Sequence, residues 1–168
     1  MKRFYKLLKP FAAVNTILET GQVIDRCPSV KLIFIDVDNT LLSYKKSKIS
    51  CCVKQWLDTV SADKMLVIVT NNNKKRVKKI AELNKFKHVC NAAKPLPFAY
   101  LSILKKYGIL RKESLIIGDQ LFDDVLGGNL AGIKTILIKP IEKEMTHRMR
   151  AKRYFESILL KYMEIMYV

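Results

Sequence analysis

FIDVDNTLLSY, residues 34–44, sets an apolar run against two acids. Leu32, Ile33, Phe34 and Ile35 lead straight into Asp36 and Asp38, and Asn39 and Thr40 follow at once. A continuous apolar run suits a strand covered on both faces, as in parallel sheets. Such a strand gains nothing from two acids at its end, because close carboxylates disfavour each other's ionisation. The pair therefore reads as chemistry. The plain alternative is an Asx-turn, with Asp38 or Thr40 capping the next element.

Outward from this stretch the chain alternates. Further apolar runs stand at 64–70, 88–92, 114–119 and 134–139, with 31–37 as the first of the series. Helix-like stretches fall at 51–61, 73–84, 97–107, 121–131 and 142–166. Asn72 or Asn73 suits the cap of the second, and Gly108 and Gly132 sit where helices stop. Alternating strands and helices predict an α/β fold with a mostly parallel sheet and helices on both faces. No repeat or linker divides the 168 residues, so one domain is expected over 1–168, with 1–30 as an N-terminal arm.

Ligands of open α/β sheets sit outside the carboxyl ends of the strands. The residues just past each run are then informative: Asp36 and Asp38, Thr70 and Asn71, Lys94, and Asp119. Carboxylates without His or Cys partners point to Mg²⁺, which prefers oxygen ligands and substrate phosphate. A carboxylate can act as a nucleophile, and a neighbour can carry the proton. Lys94 suits phosphate oxygens, and Thr70 offers a neutral donor. The plain alternatives are a solvated loop lysine and a helix cap.

Lys and Arg number 31 against 15 Asp and Glu, a net charge of +16. That surplus suits an anionic partner: nucleic acid, a lipid surface or a phosphorylated substrate. A solvated Lys-rich surface is the plain alternative. The four cysteines form no C-x-x-C pair, which disfavours zinc; reduced thiols fit a cytoplasmic location. No apolar run has the roughly 18–20 residues of a membrane-spanning helix, and MKRFYKLLKPF reads as a retained N-terminus rather than a signal peptide.

DVDNT (36–40), Thr70, Lys94 and GDQLFDD (118–124) resemble the four motifs of the haloacid dehalogenase (HAD) superfamily of phosphatases. The closer resemblance is to its subfamily IIIA, YqeG type, through DVDNTL, TNNN, AKP and GDQLFDDVLGGNLAG, over about 31–140. It implies a Rossmann-like three-layer sandwich. It implies Asp36 as nucleophile through a phosphoaspartyl intermediate and Asp38 as general acid and base. Thr70, Asn71 and Lys94 would bind the phosphorylated substrate. Mg²⁺ would be held by Asp36, Asp119 and the backbone carbonyl of Asp38, with Asp123 or Asp124 orienting metal-bound water. Three positions depart from the pattern: Asp123 for Thr or Ser, Leu130 for Arg, and Ala93 for the first Lys of K-K-P.

The intervals Asp36–Thr70 and Thr70–Lys94 each hold one helix-and-strand unit, leaving no room for a large cap domain. An open site suits a bulky substrate. Relatives of this type resemble the mitochondrial phosphatidylglycerophosphate phosphatase, so that lipid is the expected substrate. Soluble nucleotide or sugar phosphates are the alternative, and a basic RNA- or ribosome-associated factor is the rival from another class. Phe155, Ile158, Leu159, Tyr162 and Met166 recur at helical spacing among Arg148, Arg150, Lys152, Arg153 and Lys161. Phe4, Leu7, Leu8 and Phe11 with Lys2, Arg3, Lys6 and Lys9 echo them at the N-terminus. Either stripe suits peripheral contact with the inner membrane face or packing on the core.

Overall fold

The structure, a computed structural model, describes residues 2–46, 48–72, 77, 80, 86–144 and 146–167. Among them, six parallel strands form one sheet: β1 (Ala12–Val14), β2 (Leu32–Ile35), β3 (Met65–Val69), β4 (Lys87–Val89), β5 (Ser114–Gly118) and β6 (Lys134–Ile138). Their order is β1-β6-β5-β2-β3-β4. β2 is central, with Phe34 in register with Val67 of β3 and Ile116 of β5. The helices are α1 (Lys2–Leu8), α2 (Thr20–Asp25), α3 (Cys51–Asp63), α4 (Phe98–Tyr107), α5 (Leu126–Ala131) and α6 (His147–Tyr162).

The period of two in a strand splits the β2 run between two cores. Ile33 and Ile35 join Ile24, Leu57 of α3, Leu66 and Ile68. Leu32 and Phe34 join Tyr100 and Leu104 of α4 and Ile133. Phe34 meets Tyr100 edge-on at 5.1 Å between ring centroids. Each such side chain contributes about 1.5–3 kcal/mol on burial. This is the α/β sandwich the sequence predicts, and every described strand pair is parallel.

Helix punctuation follows local chemistry. The Ser50 side chain accepts a hydrogen bond from the Val53 amide and starts α3. Gly108 and Gly132 end α4 and α5 at φ values of 64° and 72°, which glycine adopts at little cost. The helix expected over 73–84, with its Asn72 or Asn73 cap, falls largely outside the described residues; Val77 and Ile80 are buried in the first core.

Three expectations change. The N-terminal arm is not a mere arm, because β1 extends the sheet beside β6, Ala13 pairing with Leu137. A three-residue strand after Pro10 is too short to leave a periodic signal. The last helix starts at His147 rather than 142, capped by the Thr146 hydroxyl, which leaves 142–144 as a loop. The stretch 121–131 opens with a π-turn over Leu121–Val125 before α5.

The two ends of the chain meet in a third core. Leu8 and Ala13 pack there with Leu121, Val125 and Leu137, against Leu159, Leu160 and Met163. Leu159 thus leaves the apolar stripe of the last helix for the interior, whereas Phe155, Ile158, Tyr162 and Met166 stay exposed. No helix of the described residues is long and apolar enough to cross a membrane. None of the four cysteines is in a disulfide.

Candidate active site

The carboxyl ends of the central strands open into a groove of about 610 Å³. Asp36 follows β2, Thr70 follows β3, Lys94 follows the turn after β4, and Asp119 follows β5. Asp36, Asp38, Thr70, Lys94, Asp119 and Asp124 are all buried. The carboxylates of Asp36, Asp119 and Asp124 bring one oxygen each within 4.8 Å of the others.

Lys94 bridges two of them. Its Nζ donates to Asp36 Oδ1 at 2.6 Å and to Asp124 Oδ1 at 2.7 Å. Asp124 Oδ2 accepts the Gln120 amide at 3.1 Å, so both its oxygens are engaged. Asp119 Oδ1 accepts the Thr40 hydroxyl at 3.3 Å, and Arg153 of α6 is bound to its Oδ2. Asp36 Oδ2 is buried with no hydrogen-bond partner among the described residues. A buried, unsatisfied carboxylate oxygen is costly and calls for a ligand.

Burial raises the Asp36 carboxyl to a pKa of about 7; Lys94 opposes the rise and Asp124 adds to it. Burial likewise lifts Asp119 well above the usual carboxylate range, against the pull of Arg153. For Lys94 burial works against the charge, but Asp124 and Asp36 outweigh it and hold the ammonium form. Three crowded carboxylates, one with a bare oxygen, fit a hard divalent cation, which would relieve their repulsion.

The glycines of the fourth motif make this crowding sterically feasible. A Cβ at Gly118 would collide with the Asp124 carboxylate. At Gly127 it would sit 3.2 Å from the Pro95 carbonyl, so α5 approaches the Lys94 turn closely only without a side chain. Asn129 of the same motif donates to the Leu7 and Lys9 carbonyls and ties down the end of α1.

The remaining expected residues take distinct places. Asp38 lines the groove, its Oδ2 accepting from Asn72 Nδ2 at 3.0 Å, and its carboxylate is not in the close trio. The Thr70 hydroxyl accepts the Asn72 amide at 3.1 Å, which leaves its proton to donate. Asn71 also lines the groove but spends its amide on Lys94, donating to the carbonyl at 3.0 Å and accepting the N–H at 2.7 Å. Asn71 therefore positions Lys94. The Asp123 carboxylate turns to Lys152 at 2.6 Å and is neutralised there.

Sequence reasoning gave no role to Asn39, Glu144 or Glu156, and saw Lys152 and Arg153 only as surface charge. Asn39, at φ 62°, clasps the backbone of Glu142 in both directions and fixes the loop after β6 over the motif. Arg153 donates to the Asp119 carbonyl and carboxylate, to Glu144 Oε1 at 2.7 Å and to Glu156 Oε2 at 3.0 Å. Glu156 Oε1 accepts the Phe122 amide at the π-turn, at 3.0 Å. The signal is present: acids interleave with the bases of 142–156, and Arg153 and Glu156 stand at i,i+3 spacing.

Comparison with known proteins finds a family and a shared fold. The HAD-hydrolase-like family model matches residues 91–152. The probable phosphatase YqeG of Bacillus subtilis is 32% identical over 133 residues, covering 79% of this chain and 77% of its own. The cobalt-bound deoxy-D-mannose-octulosonate 8-phosphate phosphatase of Haemophilus influenzae superposes with a TM-score of 0.56 at 14% identity, covering 81% of this chain and 90% of its own. A HAD-superfamily hydrolase of subfamily IA from Geobacter sulfurreducens gives a TM-score of 0.53 at 16% identity, covering 78% of this chain and 97% of its own.

Proposed function

This chain belongs to the HAD superfamily of hydrolases and, within it, to the YqeG-type phosphatases, and from that premise we propose a Mg²⁺-dependent phosphomonoesterase working through Asp36. The observation that carries the reading is the bare, buried Asp36 Oδ2 beside an Asp36 Oδ1 fixed by Lys94. Oδ2 attacks phosphorus, and the bond from phosphorus to the alcohol oxygen breaks as the acyl phosphate forms. Asp38 gives its proton to the departing alkoxide. Water then attacks phosphorus, Asp38 takes back a proton, and the bond to Asp36 breaks to release inorganic phosphate. Lys94 and the Thr70 hydroxyl hold the transferring group throughout. Mg²⁺ held by Asp36, Asp119 and the Asp38 carbonyl, with Asp124 adjacent, would supply positive charge against the phosphoryl oxygens.

For the substrate we favour phosphatidylglycerophosphate, dephosphorylated to phosphatidylglycerol. Tyr154, Phe155, Ile158 and Tyr162 are exposed on α6, and Leu96 and Phe98 are exposed just after Lys94. Apolar side chains thus stand out on the two segments that carry Lys94 and Arg153. With a net charge of +16, they suit a peripheral protein on an anionic lipid surface, at the cytoplasmic side.

The test is phosphate release from phosphatidylglycerophosphate in mixed micelles with Mg²⁺, against soluble nucleotide and sugar phosphates. Lipid-selective release, stopped by EDTA, is expected. Release from soluble esters alone would keep the mechanism and discard the lipid. Salt-sensitive RNA binding without any phosphatase activity would favour the RNA-associated rival.

A further inference from the structure

Thr146, Arg148, Met149 and Lys152 line the same groove as Asp36, Asp38 and Lys94. All four belong to α6 or its cap. Arg148 and Lys152, four residues apart, share one face of the helix.

The cations of the groove differ in what they are free to do. Lys94 is held by Asp36 and Asp124. Lys152 is held by Asp123 at 2.6 Å and by the Gln120 side chain at 2.6 Å. Arg148 is exposed, and its side chain has neither an ion pair nor a hydrogen bond among the described residues. Its position is also unfavourable for the helix. The first turn of α6 contains no acidic residue and begins His147, Arg148, whereas the helix dipole favours acids there. A local rule broken without compensation inside the protein points to a partner outside it.

That partner is an anion. The phosphoryl group that reacts is already served by Lys94 and Thr70. A further guanidinium in the groove, with its flat fork of donors, suits a second phosphate. Asp38 and Asp123 line the groove too and would repel that phosphate unless a cation received it.

We propose that Arg148 is a specificity residue that binds a second phosphate, carried by the alcohol portion of the substrate. The proposal rests on the phosphatase reading and narrows it to phosphomonoesters whose alcohol bears another phosphate. Both a lipid with a phosphodiester and a soluble bisphosphate meet this description.

Two matched pairs separate them. In mixed micelles, phosphatidylglycerophosphate is compared with phosphatidic acid; in solution, fructose 1,6-bisphosphate is compared with fructose 6-phosphate. The protein is expected to prefer the doubly phosphorylated member of one pair, which identifies the source. Arg148→Ala is expected to cut that preference about tenfold, through KM rather than kcat, with Arg148→Lys regaining part of it. An unaltered preference, or equal loss on both members, would overturn the proposal.

A binding experiment makes the test independent of turnover. In the Asp36→Asn background, calorimetry measures inorganic phosphate, fructose 1,6-bisphosphate and phosphatidylglycerophosphate micelles with and without Arg148→Ala. Selective weakening of a doubly phosphorylated ligand supports Arg148. Equal weakening of all three ligands, or none, sinks it. If no phosphomonoester is hydrolysed, the phosphatase reading fails and this second experiment still decides the role of Arg148.

Discussion

The floor of the groove and its α6 wall are built by different rules. The floor is four side chains at or just beyond strand ends, Asp36, Thr70, Lys94 and Asp119, with Asp124 folded under Gly118. Every one is buried, and the sheet fixes their backbone positions. The wall is one face of a surface helix, where Arg148 is exposed and Lys152 half-buried. The difference teaches where each kind of function can live. Bond-making needs groups that do not move, and parallel strands supply them. Discrimination among substrates needs reach and charge at the rim, and a docked helix supplies those.

Asp36→Asn strikes the floor alone and has the largest expected effect. Turnover falls at least ~10³-fold, the scale on which essential covalent groups act, while circular dichroism stays native. Normal turnover would remove Asp36 from the nucleophile role and dissolve the distinction. Arg153→Met strikes the joint between the two regions. It leaves Asp119, Glu144 and Glu156 buried without their shared cation and is expected to destabilise by about 3–5 kcal/mol. A melting temperature within a degree of the parent would mean that wall and floor are not coupled through this residue.

Proton linkage sharpens the contrast further. Asp36 titrates near 7 in the folded, metal-free protein and near 3.9 when unfolded. Between those values the native state holds the extra proton, so its stability falls as pH rises from about 4 through about 7, then levels. Thermal melts in EDTA from pH 4 to 8 should show this slope, and Asp36→Asn should reduce it, with Asp119, also raised by burial, carrying a share of what is left. A slope untouched by that substitution would place the titration elsewhere. The smallest effect is expected at the rim. Asp123→Ser frees Lys152 from a half-buried pair at the rim worth about 1 kcal/mol. Stability should hardly change, whereas KM for a phosphorylated substrate should fall by about two- to threefold as the ammonium becomes available. A rise in KM would assign Asp123 to substrate binding.

The same contrast explains what the sequence disclosed. An acid that follows a buried apolar run lies at a strand end whatever the rest of the chain does, so Asp36 and Asp119 were legible from local pattern. Their mutual approach was legible only as the general rule for parallel sheets. The role of Arg153 depends on how a late helix rotates against the sheet, and no local period records that. Its basic neighbours suggested a lipid or nucleic-acid surface, but Glu144 and Glu156 draw the guanidinium inward. Likewise the β1 strand hides in three residues, AAV, whose pairing is decided by the free edge of β6 rather than by their own propensity.

That β1–β6 seam has a consequence for how the chain is made. Translation releases β1 early, and its partner edge emerges only after β2, β3, β4 and β5. Until then Ala12–Val14 has no mate, and α1 lacks the Asn129 that anchors its end. Pairing between segments so far apart closes slowly. Arg153 lies later still in the chain, so Asp119 gains its cation only once the last helix has been made. Neither the β1 seam nor the charge balance around Asp119 can therefore close until the last strand and the last helix have been made.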